Sequence, residues 1–236
     1  MKKGFGRRLM LYLVGVVLGS ILIYPLFMNR SCNWLPGDRV KLTIFRKLIV
    51  VPDDQKVALN ELGIDKSTVG TYLSQEDIDF SESLKDLGVY PKVYVFKKNE
   101  KYPKRVQLSF YEDSYIAVLH VLEDDETPQR YENLQGFGEI YRIPADSALV
   151  KIDNSNYIQC KARGLATTDY KQIIQDIKNT GRIDFSKSDL MLTKAEQQLL
   201  FTQNDTLQVE AKTIWFKERI NFKDFYWDEK LPCEEN

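Results

Sequence analysis

Histidine is almost absent and cysteine is scarce: the 236-residue chain holds one of the first and three of the second. A metal site built on imidazole and thiolate has almost nothing to draw on. No G-x-S-x-G, Walker or G-x-G-x-x-G pattern occurs, so nucleophile-elbow, P-loop and dinucleotide chemistry lose their signatures. Gly136-Phe137-Gly138 lacks the third glycine. Neither sign of charge dominates, with 33 basic and 34 acidic side chains. No basic face stands out, which argues against a nucleic-acid partner. No cofactor, metal ligand or catalytic residue is assigned. With 43% apolar residues the chain is neither a disordered segment nor a collagen-like repeat.

Only one long hydrophobic run is present. Leu9 to Met28 carries no charge. A helix of about 20 residues spans roughly 30 Å, the thickness of a bilayer's hydrocarbon core. Lys2, Lys3, Arg7 and Arg8 precede the run, which places the amino terminus in the cytoplasm. A cleaved signal peptide fits less well, because Asn29-Arg30-Ser31-Cys32 offers no small-x-small site. A buried core helix fits less well too, given the run's length and basic flank. Gly15 and Gly19 form a G-x-x-x-G pair, a candidate helix-packing face.

Beyond the run the chain reads as two copies of one unit. Val57, Ala58, Leu62 and then Val69, Tyr72, Leu73 have helical spacing. Strand-like runs follow at 92–97, 105–111 and 115–122. The order returns with a helix carrying Ile173, Ile174 and Ile177, then strands at 198–202, 207–216 and 219–227. Ile78-Asp79-Phe80-Ser81 falls on Ile183-Asp184-Phe185-Ser186 at a spacing of 105 residues, and Ser83 falls on Ser188. Asp and Ser at that point favour side-chain-to-backbone bonds that end a helix and start a strand, with Ile and Phe as core anchors. The acidic run Asp124-Asp125-Glu126 reads as a solvated turn.

The expected fold is α+β, with a single N-terminal transmembrane helix followed by two similar small units of short helices and antiparallel strands. The expected segments are a basic cytoplasmic piece 1–8, the span 9–28 and a juxtamembrane connector 29–52. A first unit 53–123, a connecting segment 124–160 and a second unit 161–236 complete the chain.

Certain residues carry a resemblance. Ser31-Cys32-Asn33-Trp34-Leu35-Pro36-Gly37-Asp38-Arg39-Val40 and Ile183-Asp184-Phe185-Ser186-Lys187-Ser188 follow the basic start and the glycine-containing span. In this the chain resembles a Bacteroidota family of membrane-anchored proteins with a domain of unknown function. The resemblance implies a bacterial envelope protein and no assigned activity. It also implies O-glycosylation at Asp-Ser/Thr followed by a small or aliphatic residue, with Ser147 and Thr206 as candidates.

Remaining candidates are few. His120 lies in an apolar run and reads as an outward-pointing strand residue. Cys32, Cys160 and Cys233 are an odd set, so one pair can close in an oxidising periplasm or Cys32 can cross-link two chains. The expected function is that of a single-pass inner-membrane protein with a periplasmic binding or scaffolding module, an accessory subunit with protein partners in an envelope complex. Carboxylates are plentiful, which keeps a glycan hydrolase using two of them as an alternative. A ligand-binding sensor is a further alternative, although only eight residues precede the span.

Overall fold

A computed structural model describes residues 3–29, 36–131, 134–144, 149–152, 170–192, 194–203, 206–216 and 219–227. The chain divides into two compact units, Met1–Leu42 and Thr43–Asn236. In the first, helix α1 runs over Lys3–Asn29 and is 27 residues long. Its apolar side chains are exposed on every side, Leu9, Met10, Leu11, Tyr12, Leu13, Val14, Val16, Val17, Leu18 and Ile21 among them. Among the described residues no helix is long and apolar enough to cross a membrane. The expected span 9–28 is therefore not established.

Helix α2 (Pro36–Phe45) leads into the second unit, which is α+β and built on one mixed sheet of eleven strands. The strands are β1 (Leu48–Pro52), β2 (Ile78–Leu84), β3 (Lys92–Phe96), β4 (Arg105–Phe110), β5 (Ile116–Leu122), β6 (Phe137–Arg142) and β7 (Leu149–Ile152). Then come β8 (Arg182–Asp184), β9 (Glu196–Gln203), β10 (Leu207–Phe216) and β11 (Arg219–Trp227). Their order across the sheet is β2-β3-β4-β5-β1-β6-β8-β9-β10-β11-β7. Helices α3 (Lys56–Glu61) and α4 (Val69–Gln75) separate β1 from β2, and α5 (Tyr170–Thr180) precedes β8.

One pattern occurs twice in this order. The antiparallel meander β2-β3-β4-β5 ends on β1, parallel to β5, and the meander β8-β9-β10-β11 ends on β7, parallel to β11. Following the pairings from strand to strand, β2 runs opposite to β1 whereas β8 runs with it. The second meander is therefore reversed in direction. β6 joins the two, antiparallel to both β1 and β8.

The helices cover opposite faces at this junction. Strand side chains alternate between faces. Val50 and Ile140 are paired neighbours and belong to the core packed on Ile173, Ile174 and Ile177 of α5. Glu139 points the other way and meets Lys56 of α3; a bulge between Ile140 and Arg142, which face the consecutive residues Val50 and Ile49, turns Arg142 to that side too, beside Gly70 of α4. β1 and β5 are buried along their whole length because both faces are covered. Gly138 lets the layers close: a Cβ there would lie 2.4 Å from Cζ of Phe185 and 2.5 Å from Cγ1 of Val50.

Several expectations need correction. His120 faces away from Leu119 and Val121, but it is not solvated. It is 4% exposed because residues 123–131 fold across β4 and β5 and stack Tyr131 on its ring, with centroids 4.1 Å apart. Ile78-Asp79-Phe80-Ser81, expected to end a helix and start a strand, follows α4 and opens β2. The segment read as connecting, 124–160, contains β6 and β7, and 29–52 contains α2 and the central strand β1.

Candidate functional site

A polar concavity lies on the α3 side of the sheet, near the C-terminal end of β1. Glu139 is at its centre. Its carboxylate pairs with Lys56 and, at 2.7 Å, with Lys66. Lys66 also donates to the carbonyls of Lys178 (3.0 Å) and Asn179 (2.6 Å), in the last turn of α5. A cation there complements the helix's partial negative charge. Arg182 pairs with Asp53, just after β1, and its guanidinium lies over the Phe137 ring. Two shallow depressions share Lys56 and Glu139. One, of about 500 Å³, adds Asn60, Asp65, Lys66, Ser67 and Tyr141. The other, of about 450 Å³, adds Asp53, Val57, Thr180 and Arg182. Thr180 and Arg182 continue into a third, of about 430 Å³, over the outward side of β9 and β10.

The electrostatics of this groove are those of engaged charges. Burial raises the Glu139 carboxyl, but hydrogen bonds from Lys56 and Lys66 outweigh it, and the net shift is downward. Asp65 is pulled down to about 2, chiefly by the Ser67 hydroxyl and then by Thr68. Its Oδ1 accepts from Ser67 N (2.8 Å), Ser67 Oγ (2.6 Å) and Thr68 N (2.9 Å), a turn that starts α4. Both groups are carboxylates at neutral pH. They hold cations and backbone amides in place.

Two buried titratable groups lie elsewhere. Lys47, just before β1, donates to the carbonyls of Tyr111 (3.3 Å), Glu112 (3.1 Å) and Ser114 (2.5 Å), with its ammonium 4.4 Å from the Phe110 ring centre. Burial pushes it down to about 8, against the opposing pull of Asp113 and Glu112. Burial likewise pushes His120 down to about 4, with Asp54 opposing.

The residues singled out from sequence are not brought together. Gly15 and Gly19 sit one turn apart on α1, with nothing within 4 Å of a Cβ built on either. Cys32, Cys160, Cys233 and Ser147 lie outside the described residues. Thr206 is exposed in the turn between β9 and β10. Asp79 and Asp184 make the turn bonds their sequence suggested, to Ser81 N (2.9 Å) and Ser186 N (3.0 Å). Among the described residues no group of three or more His, Cys, Asp or Glu side chains is placed to hold a metal ion. The groove itself was missed. Phe137 to Arg142 carries Phe, Ile and Tyr after a glycine, which is a strand signal. Its pairing with Lys56 and Lys66, some 80 positions upstream, is a tertiary fact.

Fold and site together define an α+β protein with one large mixed sheet, two helical layers and a groove lined by paired charges. No family model, curated protein or solved structure matches the chain.

Proposed function

We propose that this is a membrane-anchored binding module, an accessory subunit of a bacterial envelope complex, in keeping with the resemblance noted in its sequence. The carrying observation is α1. A long helix that exposes apolar side chains all round is not stable in water and is at home in lipid. The flank of Lys2, Lys3, Arg7 and Arg8 supports an amino terminus in the cytoplasm and a sheet unit in the periplasm. The groove supports binding over chemistry: Glu139 is engaged by Lys56 and Lys66, and Asp53 by Arg182.

We also read the sheet as a duplicated unit. Three correspondences support this. The strand order and pairing senses recur in the same lateral order with the strand direction reversed. Ser83 Oγ accepts from Val95 N at 3.1 Å, as Ser188 Oγ accepts from Gln198 N at 2.9 Å. Glu82–Arg105 and Lys187–Glu210 are ion pairs at the same spacing of 105 residues with their charges exchanged. The spacing is 105 from β2 to β8 and from β4 to β10. In register terms it is 103 from β3 to β9, since Ile78 faces Phe96 while Ile183 faces Leu199. A two-residue slip keeps every side chain on its own face.

Tagged protein purified from native membranes in mild detergent tests the reading. A defined set of envelope proteins at stoichiometric yield is expected. Recovery of the chain alone would move weight to an enzyme or a ligand sensor working through the groove.

A further inference from the structure

The two meanders match in their strands and differ in what covers their outer faces. Residues 123–131 return across β4 and β5, where Gln107 bonds Gln129 N and O at 3.2 Å and Tyr131 stacks on His120. Under this strap Gln107 is 0% exposed and His120 4%. Gln107 faces His120 across β4 and β5, and Lys212 faces Asp224 across β10 and β11. The second pair therefore stands where the first does, yet each of its side chains is 43% exposed. Beside it Leu200 and Ile214 are half-buried and Gln208 is exposed. Among the described residues no strap lies on this face.

Register carries the comparison past the last strand. Asp224 stands 104 positions after His120, the bulge at Lys212/Thr213 having shifted β11 by one. At that spacing Asp124-Asp125 falls on Asp228-Glu229, Pro128 on Pro232 and Gln129 on Cys233. Residues 228–236 lie outside the described residues. The charges fit as well. Arg105 donates to Glu126 O at 2.8 Å, and their counterparts Glu210 and Lys230 carry the exchanged signs. The same exchange relates Glu82–Arg105 to Lys187–Glu210. Glu210 accepts from Lys187 at 3.1 Å and from Gln198 at 2.7 Å, both on Oε1, so among the described residues Oε2 has no donor.

We propose that residues 228–236 dock on the outer face of β10 and β11 as a second strap, with Lys230 at Glu210 and Cys233 beside Lys212. This rests on the reading of the sheet as a duplicated unit. A segment attached at Trp227 is held at high effective concentration over that face, so a modest attraction suffices. Its hold is weaker than that of 123–131, because a charged seam at Lys212 and Asp224 replaces the ring stack of Tyr131 on His120, and exposed charge pairs add little. Docked, it walls the depression that Glu210 and Tyr226 line and leaves the two depressions at Glu139 as the open part of the groove.

The test uses the full chain in mild detergent with Cys32→Ser and Cys160→Ser, which keeps Cys233 as the native thiol. Lys212→Cys or Gln208→Cys adds a second thiol on the same face of β10, and a short bismaleimide links the two, read by mass spectrometry. The expected result is several-fold more link from Cys233 to position 212 than to position 208, with the preference lost on adding Lys230→Glu. Equal links at both positions, as an undocked tail gives, overturn the proposal. A link at 212 formed between copies also overturns it and makes a second chain the occupant. Gln198→Cys with Lys212→Cys and Cys233→Ser reports separately on the second meander, because these residues are paired neighbours on β9 and β10. Failure of that pair to link defeats the duplicated-unit reading and this proposal with it, whereas its closure without a link from 212 to Cys233 defeats this proposal alone.

Discussion

Lys47 is a cation in the core of the sheet unit, and its worth lies in the backbone carbonyls of the β4–β5 turn: it donates to Glu112 O and Ser114 O, and to Tyr111 O, which Ser114 N also serves at 3.1 Å. Lys47→Met keeps the apolar stem and takes this donor from the turn, so a loss of about 2 kcal/mol is expected in urea unfolding. Its folded-state pKa of about 8 lies below the 10.5 of the unfolded chain. Between those values the unfolded state binds more protons, so stability relative to the Met variant rises as pH goes from about 8 toward 10.5. His120 obeys the same sign in a lower window. It titrates at about 4 in the fold and at 6.5 when unfolded. Stability is full above 6.5 and falls as pH drops toward 4. His120→Phe, which preserves the stack on Tyr131, should remove that part of the pH dependence, read as the difference between the two proteins' unfolding midpoints. Gly138→Ala forces a methyl into Phe185 and Val50. A loss of about 1–3 kcal/mol is expected in the same assay, the usual range for overpacking.

At the scale of elements, the segment 123–131 shows how one outer sheet face becomes a second core. Gln107 on β4 donates to Gln129 O and accepts from Gln129 N, both at 3.2 Å, in the manner of a strand partner. Arg105 donates to the carbonyls of Glu123 (3.3 Å), Asp124 (3.1 Å) and Glu126 (2.8 Å) besides pairing with Glu82. Its counterpart pair on the second meander is simpler, since Lys187 is 60% exposed and bridges Glu210 at 3.1 Å. Two superficially equal ion pairs should therefore differ in weight. Arg105→Ala releases a folded segment and should cost about 2 kcal/mol, with faster amide exchange in 123–131. Lys187→Ala should stay within about 0.5 kcal/mol, as exposed pairs do.

At the scale of the molecule, the groove around Glu139 ties the α3–α4 segment to α5. Lys56 comes from α3 and Lys66 from the turn between α3 and α4, Glu139 from the joining strand, and the carbonyls of Lys178 and Asn179 from α5. Glu139→Gln leaves two ammonium groups facing each other without a counter-charge. A loss of about 1 kcal/mol is expected, larger at low ionic strength because the lysines are partly exposed. Hydrogen exchange should show loosening both in α3 and at the end of α5, the signature of a tie between parts and not of a local contact.

Local order was written in the sequence. Strands β10 and β11, the helical spacing of Ile173, Ile174 and Ile177, and the Asp-x-Ser turns at Asp79 and Asp184 each follow from side-chain periodicity and short-range hydrogen bonding. These signals act between neighbours in the chain. The reading of a duplicated unit also rests on the sequence, on identities such as Ile78/Ile183 and Phe80/Phe185. The tertiary structure alone decided that both meanders join one sheet, because that depends on β6 fitting between β1 and β8 through the bare backbone of Gly138. It alone placed His120 in a core, since only the return of residues 123–131 keeps water from it. And it alone assembled Glu139, Lys56 and Lys66, whose attraction acts through space and leaves no periodic mark along the chain.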